Sequence, residues 1–293
     1  MTSVAADVEA FEAQRPRLMR LAYRMLGSIA EAEDAVQDAW LRWTRAGDEV
    51  ADPAGWLVRT TSRLCIDRLR AAKTQREAYK GPWLPEPLIE ELTEDPVERA
   101  EDVSVAFLLA LERLSPLERA VFLLHDVFDE DYADVAETLG RTEPAVRQLA
   151  TRARAHVREA KPRFTVSQEE AGRLAAAFVA AAGRGDMKAL SSLLAEDAVM
   201  VTDGGGKRKA SLRPLVGRED IVRLIEGITW RAGGPAWPTD FRAVRINGYP
   251  GVVLTGADGP MTMAFQPGED GKLAAIYMVR NPDKLGRVGG PRS

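Results

Sequence analysis

The stretch that most constrains this chain is Tyr132-Ala-Asp-Val-Ala-Glu-Thr-Leu-Gly-Arg-Thr-Glu-Pro-Ala-Val-Arg-Gln-Leu149, with the basic run that continues to Arg163. Tyr132, Val135, Ala136 and Leu139 fall at i, i+3, i+4 and i+7, the period of a short amphipathic helix. Gly140 ends it, because glycine turns left-handed without steric strain. Thr142 can cap a second helix, and Pro144 fits its first turn, where a missing N–H forfeits no bond. Val146, Leu149, Ala153 and Val157 give that helix a stripe to bury. Helix, tight turn, helix is the layout of a major-groove reader of DNA.

Charge supports that reading. From Arg141 to Arg163 the chain carries Arg141, Arg147, Arg152, Arg154, Arg158, Lys161 and Arg163 against Glu143 and Glu159, a local +5 in a chain of net −4. A basic stripe confined to one element of an acidic protein suits a phosphate backbone. A solvated helix packed on a partner protein is the competing explanation, so the rest of the chain must decide. Arg141, Thr142, Arg147, Gln148, Arg152 and Arg154 are the candidate DNA-contacting residues of this element.

The 293 residues suffice for two or three domains, and 45% hydrophobic with 29% charged residues is ordinary globular composition. The single cysteine, Cys65, forbids an internal disulfide and a cysteine-based metal site, and a reducing cytoplasm is the simplest home. No basic-then-apolar leader and no apolar run of membrane-spanning length is present, so no membrane partner is expected. His125 and His156 are far apart, which argues against a histidine-centred active site. No catalytic residue, metal or cofactor is expected.

Residues 7–80 read as a helical block. Phe11, Leu18, Leu21, Ala22, Met25 and Leu26 lie at helical spacing, closed by Gly27-Ser28. A second helix opens with Glu31, Glu33 and Asp34 near the positive end of its dipole. Val36, Trp40 and Trp43 line its inner face, while Asp34, Gln37, Asp38 and Leu41 stay partly outside. Asp52-Pro53 is a helix start, an Asp cap followed by Pro at the first position. In that third helix Arg59, Arg63, Arg70 and Lys73 would share one face, a second candidate nucleic-acid surface. The tryptophans read as core rather than as a base-stacking platform.

Residues 81–102 read as a linker. Gly81-Pro-Trp-Leu-Pro-Glu-Pro87 has three prolines in six residues and must be extended. Glu86, Glu90, Glu91, Glu94, Asp95, Glu98, Glu101 and Asp102 then face only Arg99. A free spacer has little reason to carry Trp83, so Trp83 and Leu84 are expected to dock on another domain.

Residues 167–287 form a further domain. Ser167-Gln-Glu-Glu170 is a capping box opening a helix over Ala171–Ala182, ended by Gly183 and Gly185. Asp186 caps Met187–Leu194, Asp197–Asp203 reads as a strand and Gly217–Glu226 as a helix. Strands follow at Phe241–Ile246, Gly251–Thr255, Met261–Gln266 and Leu273–Arg280, parted by turns such as Asn247-Gly248 and Asp258-Gly259. This is an α+β cone of helices on a curled antiparallel sheet. It has no histidine and no serine-nucleophile signature. Asp203 and Asp240 are candidate carboxylates, but Asp203-Gly204-Gly205-Gly206-Lys207 reads better as a tight turn presenting Lys207, and it lacks the spacing of a phosphate loop.

Leu21-Ala-Tyr-Arg-Met-Leu-Gly with Ala32-Glu-Asp-Ala-Val-Gln-Asp-Ala-Trp-Leu-Arg-Trp43 resembles the core-polymerase-binding part of sigma region 2. Trp56-Leu-Val-Arg-Thr-Thr-Ser-Arg-Leu-Cys-Ile-Asp-Arg-Leu-Arg70 resembles the part that reads and melts the −10 element, and Ser115–Leu124 with the helix-turn-helix resembles region 4, which reads the −35 element. Together these are similar to an extracytoplasmic-function (ECF) sigma factor. Many members carry Asn where this chain has Arg63, which bears on the −10 base preferred. The C-terminal domain resembles the SnoaL-like (NTF2-like) fold. ECF factors of the SigJ-like subgroup, in which such a tail replaces a separate anti-sigma factor, share three marks that stand here: Trp83-Leu84-Pro85-Glu86-Pro87, Asp203–Lys207 and Asn281-Pro282-Asp283-Lys284-Leu285.

The resemblance implies a multidomain chain: two all-α DNA-binding modules at 7–80 and 103–163, then a regulatory α+β cone at 167–287. It implies core RNA polymerase and promoter DNA as partners, with Asp34, Gln37, Asp38 and Leu41 on the polymerase and Arg59, Arg63 and Arg70 on DNA. The cone is expected to dock on the linker, with Lys207 meeting Glu86 and the burial of Trp83 and Leu84 supplying most of the hold. The alternative is a cone that works as a SnoaL-type enzyme or a small-molecule sensor with its own ligand.

Overall fold

The computed structural model describes residues 2–46, 50–90, 104–158, 167–231, 241–256 and 258–288. Lys161, Arg163, Asp240 and the linker acids from Glu91 to Asp102 lie outside the described residues. Two compact units divide the chain: residues 1–77 with 106–161, and residues 78–105 with 162–293.

The first unit is helical. Helices α1 (Thr2–Leu26), α2 (Ile29–Ala46) and α3 (Pro53–Glu77) pack around Leu18, Met25, Val36, Trp43 and Leu57, all buried. Gly27 closes α1 at φ 69°, and Asp52 caps α3 by accepting from the Gly55 amide at 3.1 Å. Trp43 is buried against Trp56, and Trp40 packs on Phe11, so the aromatic set is core.

Helices α4 (Val105–Glu112), α5 (Pro116–Val121), α6 (Tyr132–Leu139) and α7 (Glu143–Arg158) follow, with a π-helical segment at Phe122–Val127 extending α5. Ser115 and Glu118 form a reciprocal capping box on α5. Gly140 is left-handed at φ 60° and closes α6. The buried stripe of α7 is Val146, Ala150, Ala153 and Val157, with Leu149 only half-buried. On α6, Thr138 is buried in place of Leu139. In both helices the smaller side chain takes the close contact, which the apolar period cannot specify.

Buried arginines tie the helices together. Arg119 is 3% exposed and donates to the Met25 carbonyl and to Glu112, which also binds Arg76. Burial lowers both guanidinium pKa values to about 10, so both stay charged at neutral pH and need that carboxylate.

The second unit packs α8 (Gln168–Arg184), α9 (Met187–Leu193) and α10 (Arg218–Arg231) on a seven-stranded sheet. Its strands are β1 (Ile89–Glu90), β2 (Leu194–Asp203), β3 (Leu215–Val216), β4 (Phe241–Ile246), β5 (Tyr249–Gly256), β6 (Gly259–Pro267) and β7 (Leu273–Val279), in the order β1-β4-β5-β6-β7-β2-β3. Ser167 caps α8, which runs through Gly183 and ends at Gly185. Asn247 and Gly248, both at positive φ, make the two-residue hairpin between β4 and β5.

The sheet departs from the expected all-antiparallel curl in two ways. β2 and β7 run parallel, because the chain leaves β2, crosses by α10 and meanders back through β4, β5 and β6. The linker also supplies an edge strand: Ile89 pairs with Ile246 and Glu90 with Arg245. Inside the cone, Phe178, Leu190, Ile221, Ile225, Met200 and Phe265 are packed together, so its interior is filled by side chains.

Candidate functional site

Two sets of residues matter, one in each unit. In the helical unit, α7 presents Arg147, Gln148 and Arg152 to solvent, with Arg141 and Thr142 exposed in the turn before it. The stripe of small residues on the opposite side of α7 seats it on the other helices, so its outer face stays open. Arg147 is steadied rather than sequestered. It pairs with Glu143 one turn back and lies 4.3 Å over the Tyr132 ring, yet its side chain stays 58% exposed. Arg154 is drawn away from that face by Asp126 at 2.7 Å and the Tyr132 hydroxyl at 3.0 Å.

Arg59, Arg63, Arg70 and Lys73 do not act as one open basic face. Arg63 donates to the carbonyls of Thr138 at 2.8 Å and Glu137 at 3.3 Å, at the negative end of α6. Arg59 pairs with Glu137 at 3.5 Å. Arg70 and Lys73 lie on solvent beside Asp67 and Glu77, while Arg63, although exposed, is engaged by those carbonyls. The periodicity of α3 puts the four on one side of the helix, but cannot reveal that a helix C-terminus occupies half of it.

On α2, Asp34, Gln37 and Leu41 are exposed, Leu41 by 46%. Asp38 is half-buried and bound to Arg68 at 2.7 Å.

The second unit holds the other set, built around Asp203. This carboxylate ends β2, is fully buried, and is surrounded by donors. The Tyr79 hydroxyl lies 2.6 Å from one oxygen, and the Gly205 amide 2.9 Å from the same oxygen. The other oxygen accepts from the Leu84 amide at 2.9 Å and from Lys284 Nζ at 2.7 Å. Lys284 also donates to the Leu84 carbonyl and sits 4.2 Å over the Trp83 ring. A buried carboxylate with a cation and three further donors is well satisfied. Burial first, and then the bond to Asp203, holds the Tyr79 phenol well above its ordinary pKa.

Asn281 completes the arrangement. Its side-chain oxygen caps the 3-10 turn Pro282–Lys284, and its nitrogen donates to the Tyr79 hydroxyl at 2.9 Å. Its backbone amide, with that of Arg280, donates to the Asp203 carbonyl. Gly205 must be glycine: φ is 62°, and a Cβ there would lie 2.4 Å from Asn281.

The segment Ala78–Glu90 is thus a strap held at both ends, by Asp203 and Lys284 at one and by β4 at the other. Between them Leu84, Pro85, Glu86 and Pro87 are buried, and Leu88 and Asn247 exchange two hydrogen bonds. Two expectations need correction. Lys207 does not reach for Glu86 but binds both oxygens of Asp283 at 2.6 Å, and Lys284 holds the strap. Leu84 is fully buried, whereas Trp83 is only half-buried and serves as a face for that ammonium. The sequence does not single out Tyr79 or Asn247. Neither carries a periodic signal, and Asn247 reads only as a turn residue.

A hollow of about 470 Å³ lies between α8 and the β4–β5 hairpin, lined by Phe241, Ala243, Pro250 and Val252. Its one lining carboxylate, Glu169, is exposed and paired with Arg173. Among the described residues there is no cluster suited to a metal ion, and no helix is long and apolar enough to cross a membrane.

Comparison with known proteins agrees with this anatomy. The family model for Sigma-70 region 2 matches residues 10–75, and that for Sigma-70, region 4 matches residues 104–157. The chain is 41% identical over 296 residues to the ECF RNA polymerase sigma factor SigJ of Mycobacterium tuberculosis, covering 95% of this chain and 93% of that one. It is 28% identical over 288 residues to the ECF sigma factor SigG of the same species, covering 87% and 75%. The crystal structure of the Mycobacterium tuberculosis SigJ superposes with a TM-score of 0.76 at 39% identity, over 95% of this chain and 98% of that chain. The chain belongs to the extracytoplasmic-function sigma factors, in the SigJ-like subgroup, with a C-terminal α+β domain: it binds core RNA polymerase and directs promoter-specific transcription initiation.

Proposed function

We propose that the SnoaL-like domain regulates initiation in cis by gripping the strap Ala78–Glu90, which leads from the region 2 helices toward region 4. The observation that carries this is the donor set of Asp203, in which Tyr79 and the Leu84 amide come from the strap and Lys284 bridges the two. Burying Leu84 adds about 1.5–3 kcal/mol. A fully occupied Asp203 also favours a docking role over turnover, since a general acid or base needs a free oxygen in reach of substrate.

On the DNA side, Arg141, Thr142, Arg147, Gln148 and Arg152 are the proposed −35 contacts and Arg70 a proposed −10 contact. Arg59 and Arg63 join them only after releasing the end of α6. Asp34, Gln37, Asp38 and Leu41 are the proposed core-polymerase contacts.

The test is in vitro transcription with purified core enzyme, comparing the full chain with Trp83→Ala and Lys284→Gln. Promoter output should change in both variants while region 4 stays folded. Unaltered output in both sinks the docking reading.

A further inference from the structure

The glycine turn after Asp203 does more than shelter the strap. From Gly204 to Arg218 the chain carries Lys207, Arg208, Lys209, Arg213 and Arg218 and no acidic residue, within a protein of net charge −4. Lys207, Arg208 and Lys209 line one side of an open basin of about 360 Å³ whose wall includes Gly204 and Gly206, and the strap supplies a fourth cation, Lys80, on the same basin. Lys80 is positioned by the turn. A Cβ on Gly206 would lie 3.2 Å from the Lys80 Cβ, so the lysine stem runs along the bare glycine backbone. Among the described residues, no carboxylate lines the basin.

The cations differ in how they are held. Arg208 is fixed by the Pro260 carbonyl at 2.7 Å, and the Lys209 backbone is fixed because its carbonyl accepts from Arg280. Lys207 pairs with Asp283 in an exposed contact, 55% and 60% accessible, that solvent screens and that can be exchanged. Lys80 and Lys209 are exposed, and neither makes an ion pair among the described residues. Four cations of one sign, on a turn held by the Pro260 carbonyl and by Arg280, at an open surface, match a continuous polyanion better than an enclosed small anion.

We propose that this basin binds the phosphate backbone of the DNA on which the factor acts, giving the SnoaL-like domain a direct, sequence-independent contact with nucleic acid. Because Lys80 belongs to the strap, the inference rests in part on the docking reading above: the basin is complete only with the strap in place. Phosphate binding and strap docking then favour each other by linkage.

The experiment uses the full-length chain and a duplex of arbitrary sequence, with affinity measured across a salt series. Each lost phosphate contact lowers the slope of log K against log salt by about 0.9. Lys209→Gln should lower it by about that amount, and Lys80→Gln with Lys209→Gln by about twice as much. An unchanged slope in the double variant overturns the proposal. A titration with inorganic phosphate separates the sources: saturable phosphate binding lost in Lys209→Gln, with the duplex slope unaltered, would assign the basin to a small anion instead. Lys284→Gln distinguishes the two readings. If it and Trp83→Ala both leave transcription unaltered while Lys209→Gln still lowers the slope, the docking reading fails and the basin stands.

Discussion

Lys284 illustrates how one side chain can carry several interactions at once. Its ammonium compensates the buried Asp203 carboxylate, donates to the Leu84 carbonyl and lies over the rings of Trp83 and Tyr79. With the lysine 11% exposed and the carboxylate fully buried, removing the cation leaves a charge with no counter-ion. Lys284→Met, which keeps the aliphatic stem, should therefore destabilise the strap-bound form by about 3–5 kcal/mol. Hydrogen exchange at the Leu84 amide reads this locally, since that amide donates to the same carboxylate. Exchange there as slow as in the parent chain would show that the three neutral donors suffice. Which lysine does this cannot be read from the chain. Lys207 and Lys284 both stand in motif segments near acids, and only the fold reveals that Lys207 faces Asp283 on the surface while Lys284 points inward.

At the scale of elements, the parts with a strong period are legible in the sequence, and the parts set by a neighbour are not. The amphipathic stripes, the Gly140 stop, the Asp52 and Ser167 caps and the Asn247-Gly248 hairpin all follow from local chemistry. The two-residue strand β1 carries no pattern of its own. It exists because β4 offers an unpaired edge, a form of strand addition. The same distinction separates two glycines with nearly equal φ. Gly205 at 62° abuts Asn281, whereas a Cβ on Gly271, at 68°, would meet nothing within 4 Å. Gly271→Ala should cost only the left-handed strain, about 1–2 kcal/mol. Gly205→Ala should cost more, because it also displaces Asn281 and with it a hydrogen bond to Tyr79. Thermal unfolding of the two variants side by side checks this, and equal shifts would mean that Asn281 moves aside freely.

At the scale of the molecule, what matters is the route of the chain. The helical unit is assembled from two separated stretches, 1–77 and 106–161, and the chain between them begins with a segment that folds as part of the other unit. A chain ending near Arg163 keeps that segment but removes its carboxylate, its lysine and its sheet edge. Chymotrypsin reports the difference, because Tyr79 and Trp83 are its preferred residue types and both lie in the strap. Cleavage requires the segment to leave its site, so when reclosing is fast the cutting rate follows the population of the released form. The burial of Leu84 alone, about 1.5–3 kcal/mol, corresponds to roughly a ten- to hundred-fold slower cut in the full chain than in the shortened one. Lys284→Met should be cut nearly as fast as the shortened chain, since its loss of about 3–5 kcal/mol exceeds what the burial of Leu84 supplies. Equal rates after Tyr79 and Trp83 in all three proteins would mean that the C-terminal domain exerts no hold on the strap, and its influence on initiation would then have to act through another surface.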